Sequence, residues 1–388
     1  MGVVIFLTGL KMNLALSDSQ LSLVLNRYPI QQKSNLQAWD AADEHVLKTL
    51  HESEFDTDKI LIVNDGFGAL TCGVKTLFPD SEICFEADNK TSHLGLMSNL
   101  ADNNLSNNIE RIDSEAELPF IPQLVLLKLP KSLVYLNHLL TRLSTILPEG
   151  TPLLIGGKAK SINKSIVEQI NKFFGDADPS LTWKKTRVIH CVFDGVKRDL
   201  LKTTNWTLPN TELSISNKSN VFAASKLDVG ARIMLENMPK GDFKNIVDLG
   251  CGNGVLGLRA AQLFPEANVC FVDDSAMAVS SAQQNWIDNG FAEQQGQFIW
   301  DDCLTHLPEY TEVDLILCNP PFHQGEAITD HIAWQMFVDA RKKLSNGGVL
   351  HVVGNRHLAY HAKLKRLFGN CELVASNGKF VILQSVKR

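Results

Sequence analysis

Short apolar runs recur along the second half of the chain, and most end on an acid or an amide. Asn245-Ile246-Val247-Asp248-Leu249 reads as a buried strand. Gly250-Cys251-Gly252-Asn253-Gly254 then reads as a turn needing positive φ and close backbone approach. Leu256, Ala260, Leu263 and Phe264 follow at helical spacing. A second strand spans Asn268 to Val272 and ends at Asp273-Asp274. The helix after it runs from Ser275, its expected N-cap, to Asn289. Gln297 to Trp300 ends at Asp301-Asp302, and Val313 to Leu317 leads into Cys318-Asn319-Pro320-Pro321-Phe322-His323. Strands alternating with helices predict an α/β fold with a parallel, doubly wound, Rossmann-like sheet.

The same order repeats, more weakly, in the first half. Leu61 to Gly68 lines up on Ile246 to Gly252, Ser81 to Phe85 is followed by Glu86, and Leu124 to Lys131 lines up on Leu315 to Phe322. This predicts a duplication into two tandem domains, 1–195 and 205–388. A linker is expected in the Thr-, Asn- and Ser-rich stretch Leu200 to Asn220, with Trp206 and Leu208 as a candidate strand start. On this alignment Asn64 stands where Asp248 does, Leu70 replaces the third loop glycine, and Leu129 replaces Asn319. The first copy therefore reads as degenerate.

Composition acts mainly by exclusion. The 388 residues are 44% hydrophobic with a mean hydropathy of −0.04 and no run approaching a membrane span, as in a soluble globular protein. Met1 to Leu7 is apolar but lacks a basic leader and a cleavage site, so a ragged start with Met12 as initiator is expected. The eight cysteines form neither a C-x-x-C pair nor a Cys/His cluster, which predicts no metal and free thiols in a reducing cytoplasm. A net charge of −6 makes no case for nucleic acid. Local patches do. Residues 331–370 carry seven basic residues against Asp339 alone, and residues 150–190 carry seven against three acids.

The glycine turn is literally a G-x-G-x-x-G, Gly252 to Gly257, which by itself suits a dinucleotide. Asp248 argues otherwise, because a carboxylate at the end of the preceding strand repels a pyrophosphate and suits a cationic sulfonium cofactor. S-adenosyl-L-methionine is the candidate. Gly250, Gly252 and Gly254 would line its methionyl part, Asp273 would accept from the ribose hydroxyls, and Asp302 would accept from the adenine amine, with Asp301 as rival. Asn319 and the Pro320 carbonyl form a rigid acceptor pair for a planar NH2 group, and Phe322 offers a stacking face.

Asp248 to Gly254 together with Asn319 to Phe322 resembles the class I methyltransferases that act on planar amino groups. Leu36 to Glu44, Trp183-Lys184-Lys185, Leu227 to Arg232 and Val353 to Leu358 extend the likeness over nearly the whole chain. With them it resembles the bacterial ribosomal RNA large subunit methyltransferase G family. The resemblance implies tandem class I methyltransferase-like domains, the first inert and suited to RNA recognition. It implies methyl transfer from S-adenosyl-L-methionine to the exocyclic N2 amine of a guanine in 23S rRNA. Residues 1–11 depart from the family pattern, and Ala223 stands after Phe222 where the family has Ser. Rival expectations are a 16S rRNA guanine-N2 enzyme, or an N6-adenine or protein glutamine amide methyltransferase, families that favour N-P-P-Y. A non-catalytic RNA-binding assembly factor is the rival from another class.

Overall fold

Strands apolar on both faces organise the molecule, because such strands are stable only when helices cover both sides. The structure is a computed structural model. It describes residues 13–15, 21–30, 36–307, 312–321, 323–324, 327–328 and 330–388, with backbone alone at 323–324, 327–328 and 330. The chain divides into two units, Met1–Lys202 and Thr203–Arg388.

The sheet of the first unit contains β1 (Lys59–Val63), β2 (Glu82–Glu86), β3 (Glu110–Ile112), β4 (Leu124–Lys128), β5 (Pro152–Lys158), β6 (Ala177–Pro179) and β7 (Thr186–Val192). Their order is β3-β2-β1-β4-β5-β7-β6. The first five are parallel, β7 returns antiparallel beside β5, and β6 pairs antiparallel with β7. Helices α1 (Ala41–His51), α2 (Ala69–Leu77), α3 (Lys90–Asp102), α4 (Leu133–Ile146) and α5 (Lys164–Phe173) complete it.

The second unit repeats this plan. Its strands are β8 (Asn245–Leu249), β9 (Asn268–Asp273), β10 (Gly296–Trp300), β11 (Val313–Cys318), β12 (Leu344–Asn355), β13 (Glu372–Ser376) and β14 (Phe380–Val386). They lie in the order β10-β9-β8-β11-β12-β14-β13. Its helices are α6 (Val229–Glu236), α7 (Val255–Leu263), α8 (Ala276–Asp288), α9 (Asp330–Lys343) and α10 (Tyr360–Phe368). Alternate residues of one strand serve two cores. Ile246 packs with Leu258, Phe271 and Trp286, while its neighbour Val247 packs with Phe337, Leu350 and Tyr360. Ser275 caps α8 by accepting from the Ala278 N–H, as its position predicts.

The boundary between the units falls inside the stretch expected to be a linker, and from Thr203 onward that stretch is part of the second unit. Thr204–Thr207 pairs antiparallel with Ser214–Asn217, Trp206 opposite Ile215. Ile215 is fully buried, and the Asn285 amide on α8 bonds both the N–H and the carbonyl of Ser216. Trp206 lies in a strand as expected, while the polar composition around it concealed the second strand of the hairpin, which asparagine side chains tie to α8.

Strand pairing also corrects the alignment of the two copies. Val63 pairs with Leu127 as Leu249 pairs with Cys318. Asn64 and Gly250 each directly follow their strand, with φ of +62° and +71° and an N–H bonded to the neighbouring strand, so Asn64 matches Gly250 and not Asp248, whose place is taken by Ile62. Gly68 matches Gly254, and both begin a helix in the left-handed region. The third loop glycine is thus kept and Leu70 does not replace it. Asn319 corresponds to Lys128, not Leu129. Cys84 pairs with Leu61 as Cys270 pairs with Val247, so Ala87 stands at Asp273 and Glu86 at Val272. The degeneracy stands, on different residues. Local similarity misaligned the copies because glycine-rich turns look alike when shifted by two residues.

At the Asn319 position the first unit is plugged. The Lys128 ammonium lies 2.7 Å from Asp40 and 2.5 Å from Asp43. Burial lowers the Lys128 pKa, but the two carboxylates outweigh it and the net shift is upward. Removing the cation leaves a buried carboxylate unpaired. Lys128→Met should destabilise the first unit by about 3 kcal/mol, read as a lower urea midpoint. Adding Asp43→Asn should recover much of the loss, and an unchanged midpoint in Lys128→Met would refute the assignment.

Candidate active site

The carboxyl ends of β8, β9, β10 and β11 meet at one edge of the second sheet, where open α/β folds bind ligands. The glycine loop follows β8. Gly250, Gly252 and Gly254 all have positive φ. A Cβ on Gly252 would meet nothing within 4 Å, so the loop's backbone faces open space there. Gly257 serves packing, since a Cβ there would lie 2.3 Å from the Phe271 ring and push α7 off the sheet.

Asp248 lies under the loop. It is fully buried, and its Oδ2 accepts the Gly257 N–H at 2.8 Å. Its Oδ1 has no partner. Burial pushes its pKa from the ordinary 3.8 up to about 8, the Gly257 N–H opposing and Asp273 adding to the rise. Asp273 stands at the rim, half-exposed, accepting from Gly252 N–H and Ser275 N–H, each at 2.9 Å. After β10 the two adjacent acids separate in role. Both oxygens of Asp301 are engaged in the turn, accepting from Asp302 N–H at 2.8 Å, His306 N–H at 2.8 Å and contacting His306 Nδ1 at 2.5 Å. Asp302 receives Gln335 Nε2 on Oδ2 at 3.0 Å, and burial raises its pKa against that bond.

From the end of β11 comes Asn319. Its Nδ2 reaches Asp228 Oδ2 at 3.4 Å, and its buried Oδ1 has no partner. Asp228 is the N-cap of α6, accepting from Ala231 N–H at 2.9 Å. A Cβ on Gly230 would lie 2.9 Å from Asp228 Oδ2 and 3.4 Å from Asn319 Oδ1, so this glycine leaves room for both. Pro320 is buried. Cys318 is buried with its thiol pKa pushed up by burial, as suits a packing residue rather than a nucleophile. Phe322 and the opening segment through Met12 lie outside the described residues.

Both units have counterparts among known proteins. Residues 13–195 match the RLMG N-terminal domain model, and residues 212–384 match the Methyltransferase small domain model. Ribosomal RNA large subunit methyltransferase G of Shewanella baltica (strain OS195) is 61% identical over 373 residues, 96% of this chain and 99% of that protein. The protein of the same name from Shewanella pealeana is 61% identical over 377 residues, 96% of this chain and 91% of its own length. The chain belongs to the ribosomal RNA large subunit methyltransferase G family. A solved structure, the T. thermophilus 16S rRNA N2 G1207 methyltransferase (RsmC) in complex with AdoMet and guanosine, matches with a TM-score of 0.77 at 21% identity. It covers 97% of this chain and 98% of that one. The likeness speaks for the fold, two methyltransferase-like units in tandem.

Within this methyltransferase family chain, Asn217 and the meeting of Asp228 with Asn319 escaped the motif reading. Asn217 Oδ1 accepts from Asn253 Nδ2 at 2.9 Å, tying the hairpin to the glycine loop. Asp228, eleven positions on, meets Asn319. The segment between them carries Phe222, 69% exposed, beside Ala223 at a φ of +54°. The cap before α6 was a visible signal for Asp228, but its contact with Asn319 spans 91 positions and no local pattern reports it. Among the described residues no His/Cys/Asp/Glu group could hold a metal ion, and no helix is long and apolar enough to cross a membrane.

The raised Asp248 pKa has a stability consequence. The folded chain holds this proton more tightly than the unfolded chain, so the contribution is full below about pH 4 and is lost as pH rises toward about 8. Asp248→Asn keeps an acceptor for Gly257 and removes the titration. It should melt higher than the parent at pH 8 by roughly 5 °C, with the gap closing at pH 5. Melting curves with a pH-independent gap would contradict this.

Proposed function

We propose that this chain transfers a methyl group from S-adenosyl-L-methionine to the exocyclic N2 amine of a guanine in 23S rRNA, in the cytoplasm. The carrying observation is the buried, unpartnered Oδ1 of Asn319 at the ligand edge. Asp228 accepts from the amide's NH2 side, which leaves the carbonyl oxygen as the unpartnered acceptor. A buried acceptor without a partner is the feature expected where a substrate donor belongs. An aryl amine needs such an acceptor, because its lone pair is delocalised into the ring. With Asn319 Oδ1 and the Pro320 carbonyl each taking one amine hydrogen, the nitrogen is drawn toward tetrahedral geometry and its lone pair is aimed at the donor. The product ammonium loses its proton to solvent afterwards, so no general base is required.

The donor set fits the cofactor. The open backbone at Gly252, with Gly250 and Gly254, would border the methionyl chain. Asp273 would accept from the ribose hydroxyls. Asp302 would accept from the adenine amine, since the Asp301 oxygens are taken by their own turn. When bound, S-adenosyl-L-methionine supplies an electrophilic methyl on a cationic sulfur. Asp248 would act beneath the loop, through Gly257 and its unpartnered oxygen. Phe322 would stack on the guanine, with Phe222 as a second ring on a segment tied to both halves of the site.

The first unit, 1–195, is assigned to RNA recognition and the second, 205–388, to catalysis. Without the Gly250, Asp273 and Asn319 equivalents, and with Lys128 closed by carboxylates, the first unit has no use for the cofactor. Its basic residues between 150 and 190 suit phosphate contacts. Family membership favours 23S over 16S rRNA.

Asn319→Ala should lower kcat on 23S rRNA by about 100-fold or more, while S-adenosyl-L-methionine still binds by calorimetry. Mapping the labelled methyl in digested rRNA identifies the base and the atom. Undiminished methylation by Asn319→Ala would overturn the reading. Removing residues 1–195 should leave cofactor binding and abolish RNA methylation, and full activity of that fragment would reject the division of labour.

A further inference from the structure

Beside the ligand edge, the second unit carries a basic and aromatic cleft that the methyl-transfer reading does not use. It lies between α9 and α10, has a volume of about 400 Å³, and is lined by His331, Trp334, Lys363 and Arg366. The Arg366 guanidinium carbon sits 4.4 Å from the centroid of the Trp334 ring, and the Lys363 ammonium 5.3 Å from that of Tyr360. Trp334 is only half-buried. Among the described residues no carboxylate pairs with Arg366. The one acid between positions 331 and 371 is Asp339, which is turned inward, contacting Thr305 Oγ1 and Lys342.

We propose that this cleft is a phosphate-binding subsite for the RNA backbone next to the methylated guanine. The inference rests on the rRNA methyltransferase reading above. Three physical points favour it. Stacking on an indole holds a guanidinium planar and fixed, with its donor fork still available for phosphate oxygens. Two cations and a histidine line the cleft, and among the described side chains no carboxylate does, an arrangement that an entering anion stabilises. The topology also sets the location. α9 follows β11 and α10 follows β12, so both helices begin at the carboxyl edge of the sheet. His331 and Trp334 lie in the first turns of α9, and Lys363 in the first turn of α10, with Arg366 in its last turn, one turn further from that edge. Gln335, adjacent to Trp334, donates to Asp302 in the site itself. A nucleotide chain delivering a base to Asn319 therefore runs its phosphates along this edge.

The full-length chain is tested on a 23S rRNA transcript over a series of KCl concentrations. The double variant Lys363→Gln/Arg366→Gln should raise the KM for RNA by about tenfold at roughly 150 mM salt, with kcat nearly unchanged. It should also flatten the log–log salt dependence by about 0.7 for each phosphate that is no longer neutralised. Trp334→Ala, which keeps every charge, should raise the RNA KM as well, because Arg366 loses its platform. Arg341→Gln, an exposed cation outside the cleft, is the reference for the general field and should change KM less than about twofold. A double variant with parental KM and salt slope overturns the proposal. So does a Trp334→Ala protein of parental KM, or an Arg341→Gln effect equal to that of the double variant, since either reduces the cleft to generic charge. A parent chain that methylates no rRNA defeats the functional reading first and this inference with it, and that result is distinct from normal parental activity with indifferent variants.

Discussion

The parallel pairing of β8 with β11 is the constraint from which the site follows. With Leu249 beside Cys318, the glycine loop and the Asn-Pro-Pro turn leave the sheet at the same edge. They are brought together from about seventy positions apart by backbone hydrogen bonds that carry no chemistry of their own. Both faces of these strands are apolar and covered, so a slip of one residue would turn a core side chain to the opposite face. The cost of that slip is what keeps the acceptor and the cofactor loop in fixed relation, and α6 then adds Asp228 to orient the acceptor.

The two units show how little of that frame depends on the chemistry it carries. Strand order and pairing are the same in both sheets, and Gly68 and Gly254 open corresponding helices in the same left-handed conformation. What differs is which group stands at the end of the fourth strand in sequence. In the first unit an ammonium is neutralised by Asp40, the N-cap of α1, together with Asp43. In the second, an amide faces Asp228, the N-cap of α6, and keeps an oxygen free. The same capping position thus closes one pocket and poises the other. Asp65 shows a similar substitution at the loop. It accepts from Ala69 and Thr71 N–H at 3.0 and 2.9 Å, serving the helix start that Asp248 serves through Gly257.

Much was legible along the chain because the signals are local. β8 spans the residues its apolar run predicts, Ser275 caps α8, and the candidate cofactor acids lie near the strand ends, Asp248 within β8, Asp273 closing β9 and Asp302 after β10. The duplication was visible in the order of motifs, whereas its register was not. Shifting the alignment by two residues left the glycines looking matched, and the strand ends, with the left-handed conformations at Asn64/Gly250 and Gly68/Gly254, distinguished Gly250 from Asp248 as the counterpart of Asn64. Of the hairpin of 204–217 only the strand start near Trp206 was visible, for a related reason. It is tied down by Asn285 of α8 and by Asn289, the residue after that helix, some seventy positions away.

By itself the sequence determined the α/β class, the tandem plan, the glycine loop and the Asn-Pro-Pro turn, since periodicity, turn chemistry and backbone restriction act over a few residues. Tertiary structure decided which of two adjacent acids is spent on its own turn, which way the Asn319 amide faces, and that Trp334 and Arg366 share a cleft. Those outcomes depend on distances between groups remote in the chain, and long-range packing sets such distances where no local pattern can encode them.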